Sequence, residues 1–316
     1  MGVDNLHTLE RHVFAGSGAF NLSQIPDREI DLGITEELGY GAGQLSPSHV
    51  SVMSQAPVIS GGTTEIARFL TNIDALLGLA IPSTTVITSV AFYFQSAQLL
   101  GGIKAGSSHL TGTLNKGMVI PTGVSVEQDG VATLNFDMHA LYDGTNLPIV
   151  WADSQALASG TPAVDEQFTL GPTFINNVQV PGLQGMTWDF GIEVEKHSTD
   201  GQVYPLTMRI MRVTPMITLR SVDVVTASDF NLTGTALDAN TFKTYIQKMD
   251  DEGDRVAIAT TEHVEIAGTA SQGFVTVENL GGANQESHVS EIKIRPTVGS
   301  GAVYTIDATA AIPAFS

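Results

Sequence analysis

The feature that most constrains the fold of this chain is a strict alternation of apolar and polar residues between Ala132 and Ala140. Every second residue in this segment is apolar. The polar residues between them are Thr133, Asn135, Asp137 and His139. Successive side chains of a strand point to opposite faces, so the segment predicts a strand with one buried and one solvent-facing side.

Further segments follow the same period of two. Alternation returns over residues 188–195, where Asp189, Glu193 and Glu195 occupy the polar positions. Short β-rich segments recur near the end of the chain, and Asp-Gly pairs at 129–130, 143–144 and 200–201 mark turns. Pro205 and Pro215 bracket a strand over residues 206–214. The sequence therefore predicts a mainly β (α+β) chain with antiparallel sheets.

Two segments have helical rather than strand spacing. The first is a broad apolar stripe that begins at Ile66, with Thr63 or Thr64 as its cap and Gly78 at its end. The members of this stripe are Ile66, Phe69, Leu70, Ile73, Leu76 and Leu77. A second helix is predicted over residues 242–249, with Asp238 as its N-cap and Gly253 beyond its end.

The domain organisation follows from changes in composition along the chain. Residues 1–62 are rich in Gly, Ser and Pro and predict an extended arm with long loops. Residues 63–316 form the β-rich domain. Each of its halves, 63–165 and 166–316, carries one predicted helix followed by strands, so an internal duplication remains an alternative to a single unit.

Charge and cysteine content exclude several classes of function. The 316 residues include 33 acidic and 14 basic side chains, which gives a formal net charge of -19. Because an acidic surface repels phosphate, we expect no binding to the nucleic-acid backbone. The sequence contains no cysteine, which excludes disulfides, thiolate metal sites and a cysteine nucleophile. Charged residues make up only 15%, which indicates that part of the exterior faces protein.

Membrane insertion and secretion are not expected. No segment approaches 18 consecutive apolar residues, and residues 1–10 lack the apolar region of a signal peptide. These features predict a protein made and used, or assembled, in the cytoplasm.

The polar residues predict no catalytic, cofactor-binding or metal-binding site. Asp137 and His139 share a strand face and could chelate an ion only with a third ligand, so a solvated face is the simpler interpretation. The acidic run at residues 250–254 does not have the spacing of an EF-hand loop and is interpreted as a charged turn. We therefore expect no enzyme activity and no cofactor.

Three segments of the central third carry short motifs in a fixed order. Residues 130–144 contain ATL, residues 168–180 contain LGP followed by IN, and residues 188–219 contain DFG, DG, YP and TPMITL. In this order the motifs resemble those of the major tail tube proteins of long-tailed bacteriophages. The resemblance implies an antiparallel β-sandwich or barrel with one or two packed helices, in subunits that form rings stacked into a hollow tube.

Within such a tube the partners are other copies of the chain and other tail proteins, and DNA passes through the lumen without specific binding. The resemblance places the protein in the virion, assembled in the host cytoplasm, with no membrane partner. Six copies, or three if the chain is duplicated, would close a ring. The candidates for acidic residues facing the lumen are Asp137, Asp189, Glu193 and Glu195.

Two other classes of function stay open. A capsid or decoration protein would share the low charge density, the β content and the lack of cysteine. A carbohydrate-binding β-sandwich would use aromatic side chains such as Tyr142, Trp151 or Tyr304 as platforms for sugar rings. A glycosidase ranks last, because nothing in the sequence singles out a pair of catalytic carboxylates.

Overall fold

The computed structural model of this chain describes twelve segments. They are residues 6–14, 20–22, 28–77, 90–97, 104–156, 166–199, 201–223, 235–236, 242–268, 273–281, 289–297 and 304–314. Across them the chain forms 23 strands and one helix. No helix in these segments is long and apolar enough to cross a membrane.

Along the chain the elements are Leu6–Phe14 (β1), Phe20–Leu22 (β2), Arg28–Asp31 (β3), Ile34–Gly39 (β4), His49–Gln55 (β5), Val58–Thr63 (β6), Ile66–Leu77 (α1), Val90–Ala97 (β7), His109–Leu114 (β8), Gly117–Glu127 (β9), Thr133–Ala140 (β10), Val150–Gln155 (β11), Gln167–Ile175 (β12), Val178–Gln179 (β13), Leu183–Asp189 (β14), Ile192–His197 (β15), Thr207–Val213 (β16), Met216–Ser221 (β17), Thr235–Ala236 (β18), Phe242–Met249 (β19), His263–Gly268 (β20), Gly273–Gly281 (β21), Val289–Pro296 (β22) and Tyr304–Ala310 (β23).

The strands form five sheets, and the described neighbours pair antiparallel. The largest sheet has nine strands in the order β18-β21-β22-β17-β14-β9-β10-β6-β3. Two sheets have five strands each, in the orders β11-β8-β7-β1-β2 and β13-β12-β19-β20-β23. Two further pairs, β4-β5 and β15-β16, are two-stranded. The prediction of a mainly β chain with antiparallel sheets is confirmed.

Strand β10 is the strand that the alternating segment predicts. Leu134, Phe136 and Met138 are buried, whereas Asn135 is exposed and Asp137 is half-buried. β10 lies between β6 and β9, so its apolar face joins the core side of the nine-stranded sheet. The opposite, polar face of that sheet receives Asn135 and Asp137.

The first predicted helix is confirmed as α1, which begins at Ile66. Ile66, Phe69 and Leu70 are fully buried, and the ring of Phe69 lies 4.8 Å from that of Phe136 on β10. The hydroxyl of Thr63 accepts a hydrogen bond from the Glu65 amide at 3.1 Å, one residue before the helix, so Thr63 orders the turn that leads into α1. Within the first turn of α1 the Arg68 amide donates to a carboxylate oxygen of Glu166 at 3.1 Å, and among the described residues the predicted threonine cap is not seen. Gly78, the predicted end, lies outside the described residues.

Removing the hydroxyl of Thr63 tests what this hydrogen bond contributes to stability. We expect Thr63→Ala to lower the free energy of unfolding by about 1 kcal/mol, because the Glu65 amide before the helix loses its acceptor. Chemical denaturation followed by circular dichroism measures the change. Thr63→Ser keeps the hydroxyl and is the matched control, so an equal loss in both variants would attribute the effect to the missing methyl group instead.

The second predicted helix is wrong, because residues 242–249 form strand β19. Phe242, Tyr245 and Ile246 are buried, but they lie on both faces of a strand that pairs with β12 and β20. A central strand covered on both sides has apolar residues at consecutive positions, which produces spacings that also fit a helix. Asp238 lies outside the described residues, and Gly253 lies in the turn after the strand with φ of 87°.

The alternating run over residues 188–195 belongs to two strands in different sheets. β14 ends at Asp189 and β15 begins at Ile192, with Gly191 at the bend between them. Gly191 has φ of 58°, and a Cβ atom there would lie 2.0 Å from the backbone oxygen of Thr214. The bend therefore requires glycine, and it moves Glu193 and Glu195 away from the sheet that holds Asp189.

The nine-stranded sheet shares its core with the sheet that contains β19. Trp188 of β14 is fully buried, and its ring lies 5.8 Å from Phe242 and 5.2 Å from Tyr304. Large aromatic side chains bury the most apolar surface per residue, so this cluster contributes strongly to the packing of the two sheets.

Strand pairing joins the segments that the composition assigns to separate units, namely residues 1–62 and the halves 63–165 and 166–316. Within residues 1–62, β1 pairs with β7, and β3 and β6 belong to the nine-stranded sheet, so the predicted arm is not confirmed. Strand β9 pairs with β14, so residues from 63–165 and from 166–316 share one sheet. The internal duplication stays a prediction.

Candidate functional site

Two of the four acidic residues predicted for a lumen lie on the polar face of the nine-stranded sheet. Asp189 of β14 is level with Gly123 of β9, and Gly123 is level with Asn135 of β10. Asp137 follows two residues after Asn135 and therefore shares its face. Asp189 is exposed and Asp137 is half-buried, with one carboxylate oxygen 2.6 Å from the hydroxyl of Ser60.

The other two predicted residues, Glu193 and Glu195, lie on the separate ribbon formed by β15 and β16. Glu193 pairs with Arg212, and an oxygen of Glu195 lies 2.9 Å from Arg209. The hydrogen bond from Arg209, together with His197 nearby, lowers the pKa of Glu195 below its ordinary value. Arginine partners offset these two charges, so the four acids do not form one uniformly acidic group.

The polar face of the nine-stranded sheet divides into two regions of different charge. Across β17, β21 and β22 the basic side chains lie in ion pairs, such as Arg220 with Glu127 at 2.9 Å and Arg295 with Glu278 at 3.5 Å. Across β3, β6 and β10 the face is acidic. It contains a shallow cleft of about 330 Å³, lined by Glu29, Ser60, Gly61, Thr122, Asn135, Phe136 and Asp137. Two carboxylates, Glu29 and Asp137, therefore line this cleft, and Lys196 of β15 lies near Asp137.

His139 lies at the end of this acidic region and is held in its neutral form. It is level with Val58 and Met118 on the neighbouring strands. Burial, and secondly the positive charge of Lys196, lower the pKa of His139 to about 4. Its Nδ1 atom is buried and has no hydrogen-bond partner among the described residues. Neither metal binding nor proton transfer is needed to explain an imidazole in such a position.

The other polar candidates from the sequence have structural roles. One carboxylate oxygen of Asp250 accepts hydrogen bonds from the Glu252 and Asp254 amides, which closes the acidic turn on itself. In the described part of the chain no three His, Asp or Glu side chains converge on a common point that could hold a metal ion.

The aromatic residues considered as sugar platforms differ in exposure. Tyr304 is buried and does not reach the surface. Tyr142 is half-buried, and its ring lies 6.2 Å from that of Tyr204. Trp151 on β11 is 45% exposed and packs against Phe92 with ring centroids 5.5 Å apart. Trp151 alone of the three predicted residues presents a large aromatic surface.

A feature that the sequence analysis missed is the ribbon formed by β4 and β5, which we call the assembly ribbon. Leu38 lies opposite Val50 and Glu36 lies opposite Val52, so these four side chains share one face. Ile34 joins that face by alternation along β4. The other face carries Thr35, Glu37, His49, Ser51 and Ser54. Apart from Met53, which is 55% exposed at a β-bulge of β5, the assembly ribbon therefore has one apolar and one polar side.

The apolar side of the assembly ribbon is uncovered. Ile34 is 48%, Leu38 47%, Val50 56% and Val52 46% exposed. At its base the ribbon is tied to the rest of the molecule by a hydrogen bond from the Gln55 amide to the Val203 oxygen, at 2.9 Å. Apolar alternation on both sides of a Gly-rich turn, at residues 34–38 and 50–52, is the sequence signal that could have predicted it.

The ribbon of β15 and β16 provides a comparison within the same molecule. Its apolar side chains Ile192, Val194, Ile210 and Val213 pack against the main core, whereas its charged side and Met211, at a β-bulge, face solvent. An isolated two-stranded ribbon is marginally stable in water, because it cannot bury its own apolar side. The β15-β16 ribbon buries its apolar side against the core of its own subunit, whereas the apolar side of the assembly ribbon stays exposed.

Comparison of the sequence with models of protein families gives no match, and comparison with curated proteins gives none either. Function is therefore inferred from the residues and the geometry of the chain itself.

Proposed function

We propose that this chain is a non-enzymatic structural subunit that assembles with copies of itself, and that its assembled form is the tail tube of a bacteriophage. The observation that carries the proposal is the uncovered apolar side of the assembly ribbon. Contiguous apolar surface that remains exposed on a subunit marks an interaction site. A second copy is the partner that is always available at the same concentration.

The gain from covering this surface is large enough to drive association. Full burial of one aliphatic side chain contributes about 1.5–3 kcal/mol, and the four side chains start from about half exposure. Their burial would therefore contribute about 3–6 kcal/mol per contact before the entropic cost of association. Repetition of the contact around a closed ring would make the assembly cooperative.

The tail tube is the form of assembly that best fits the remaining features. The motif order in residues 130–219 resembles that of tail tube proteins, and a β-sandwich or barrel would provide the wall of the tube. The acidic region around Glu29 and Asp137 would repel the phosphates of passing DNA and prevent specific binding. On this proposal six copies form each ring, and rings contact one another and other tail proteins in a virion assembled in the host cytoplasm.

Negative-stain electron microscopy across a concentration series tests the proposal. We expect wild-type protein to form hollow rings or rods of uniform width, because ring closure and stacking are the proposed activity. Closed shells would instead favour a capsid or decoration protein. A wild type that stays monomeric at its highest soluble concentration would contradict self-assembly, and binding of glycans through the exposed face of Trp151 would then be the next function to test.

A further inference from the structure

The apolar side of the assembly ribbon carries one charged side chain, Glu36. It lies opposite Val52 and between Ile34 and Leu38 along β4. In the separate subunit a charge at this position keeps the ribbon soluble and opposes unspecific pairing. Once the ribbon is covered, the carboxylate loses water and requires a cationic partner.

Most of the arginines whose side chains the structure describes already have an acidic partner. The structure describes the side chains of six arginines, and five of them have a carboxylate oxygen within 4.0 Å. Those five are Arg68, Arg209, Arg212, Arg220 and Arg295. Arg255 is the exception among the six. Its Nη2 atom lies 3.5 Å from the backbone oxygen of Gln128, which is at the limit of a hydrogen bond.

Arg255 lines a cleft of about 160 Å³ between β12, β13 and β19. The cleft is also lined by apolar residues and by Gln128, Gln179 and the buried Gln247, whose amide nitrogen donates to the Val256 oxygen at 2.8 Å. A guanidinium group has a planar fork of donors that matches a carboxylate, and neighbouring amides can donate further hydrogen bonds. The cleft therefore has the chemistry to receive one carboxylate side chain together with apolar neighbours.

The turn before Arg255 favours a carboxylate that belongs to a docking surface over one in solution. Asp250, Asp251, Glu252 and Asp254 precede Arg255 directly in the sequence and place negative charge near it. For an anion from solution, only the attraction of the Arg255 guanidinium offsets the repulsion by these carboxylates. A carboxylate on the assembly ribbon arrives with apolar side chains whose burial contributes independently of the local potential.

We propose that Glu36 of one copy binds Arg255 of the next copy, so that the assembly ribbon docks over the cleft. This inference rests on the proposed self-assembly. The ribbon and the cleft are different surfaces, so the contact is head-to-tail and leaves a free ribbon at one end and a free cleft at the other. Such a contact repeats until it closes a ring or extends a stack.

Charge reversal tests the pair. Light scattering across a concentration series gives the midpoint concentration of assembly for wild type, Glu36→Arg, Arg255→Glu and the double variant. We expect each single variant to raise the midpoint at least about tenfold, because two like charges meet in the contact. The double variant restores an opposite pair, and we expect it to assemble within about threefold of wild type.

Glu37→Arg is the matched control, because Glu37 is the next residue along β4 but lies on the polar side of the ribbon. We expect its midpoint to stay within about threefold of wild type. The proposed contact between Glu36 and Arg255 would be contradicted if Arg255→Glu assembled like wild type, or if the double variant assembled no better than either single variant. Either result would leave the proposed self-assembly itself unaffected. A wild type that does not assemble would overturn both proposals.

Discussion

We expect Val50→Asp to leave the subunit folded and to weaken the proposed self-assembly strongly. Val50 is the most exposed of the four aliphatic residues on the apolar side of the assembly ribbon, so its replacement disturbs little within the subunit. In the assembled state the new carboxylate would be buried among apolar side chains without a partner, which costs several kcal/mol. We expect the midpoint concentration of assembly to rise at least about 100-fold, measured by sedimentation velocity.

The neighbouring position supplies the control for this experiment. Ser51 points to the polar side of the ribbon, and Ser51→Asp adds the same charge to the same strand. We expect Ser51→Asp to assemble like wild type, with unchanged circular dichroism in both variants. Equal loss of assembly in the two variants would show that net charge, rather than the apolar side of the ribbon, governs association.

Acidification from pH 6.5 to pH 4 lowers the stability of the subunit through His139. The pKa of His139 is about 4 in the folded chain, against an ordinary value of 6.5, because burial and Lys196 disfavour the charged ring. Between these values the unfolded state binds a proton that the folded state does not, so stability falls as the pH falls. Between pH 6.5 and pH 4 the free energy of unfolding falls by about 3 kcal/mol through this group, and above pH 6.5 none of that stability is lost.

Urea denaturation at a series of pH values measures this dependence. We expect His139→Gln to lose most of the slope between pH 6.5 and pH 4.5, since glutamine takes up no proton. Lys196 on β15 acts on His139, and Asp137 on β10 and Asp31 at the end of β3 act on Lys196; the variant retains these three charged groups. His49→Gln removes an exposed imidazole on the assembly ribbon and should keep the wild-type slope. A wild-type slope in His139→Gln would assign the acid sensitivity to other groups.

The sequence alone predicts the elements whose local pattern has one interpretation. Strand β10 has strict alternation and α1 has an apolar stripe, so the period of the apolar residues predicts both. Residues 242–249 have a pattern that fits two structures. Only pairing with β12 and β20 decides that they form a strand buried on both faces.

The candidate site could be predicted only in part. The acidic character of the polar face follows from the composition and from the alternation around Asp137. The separation of Glu193 and Glu195 from that face depends on a bend at Gly191, and their neutralisation depends on arginines of the facing strand. A long-range contact of this kind leaves no periodic signal in the sequence.

By itself the sequence determined a mainly β chain with one amphipathic helix, one polar sheet face and an excess of negative charge. Those properties depend on residue type and on spacing over a few positions, where side-chain direction is set by the backbone. The tertiary structure decided which of two similar ribbons buries its apolar side. The β15-β16 ribbon lies against the core, and the β4-β5 ribbon does not, because burial depends on which surfaces the rest of the chain brings close.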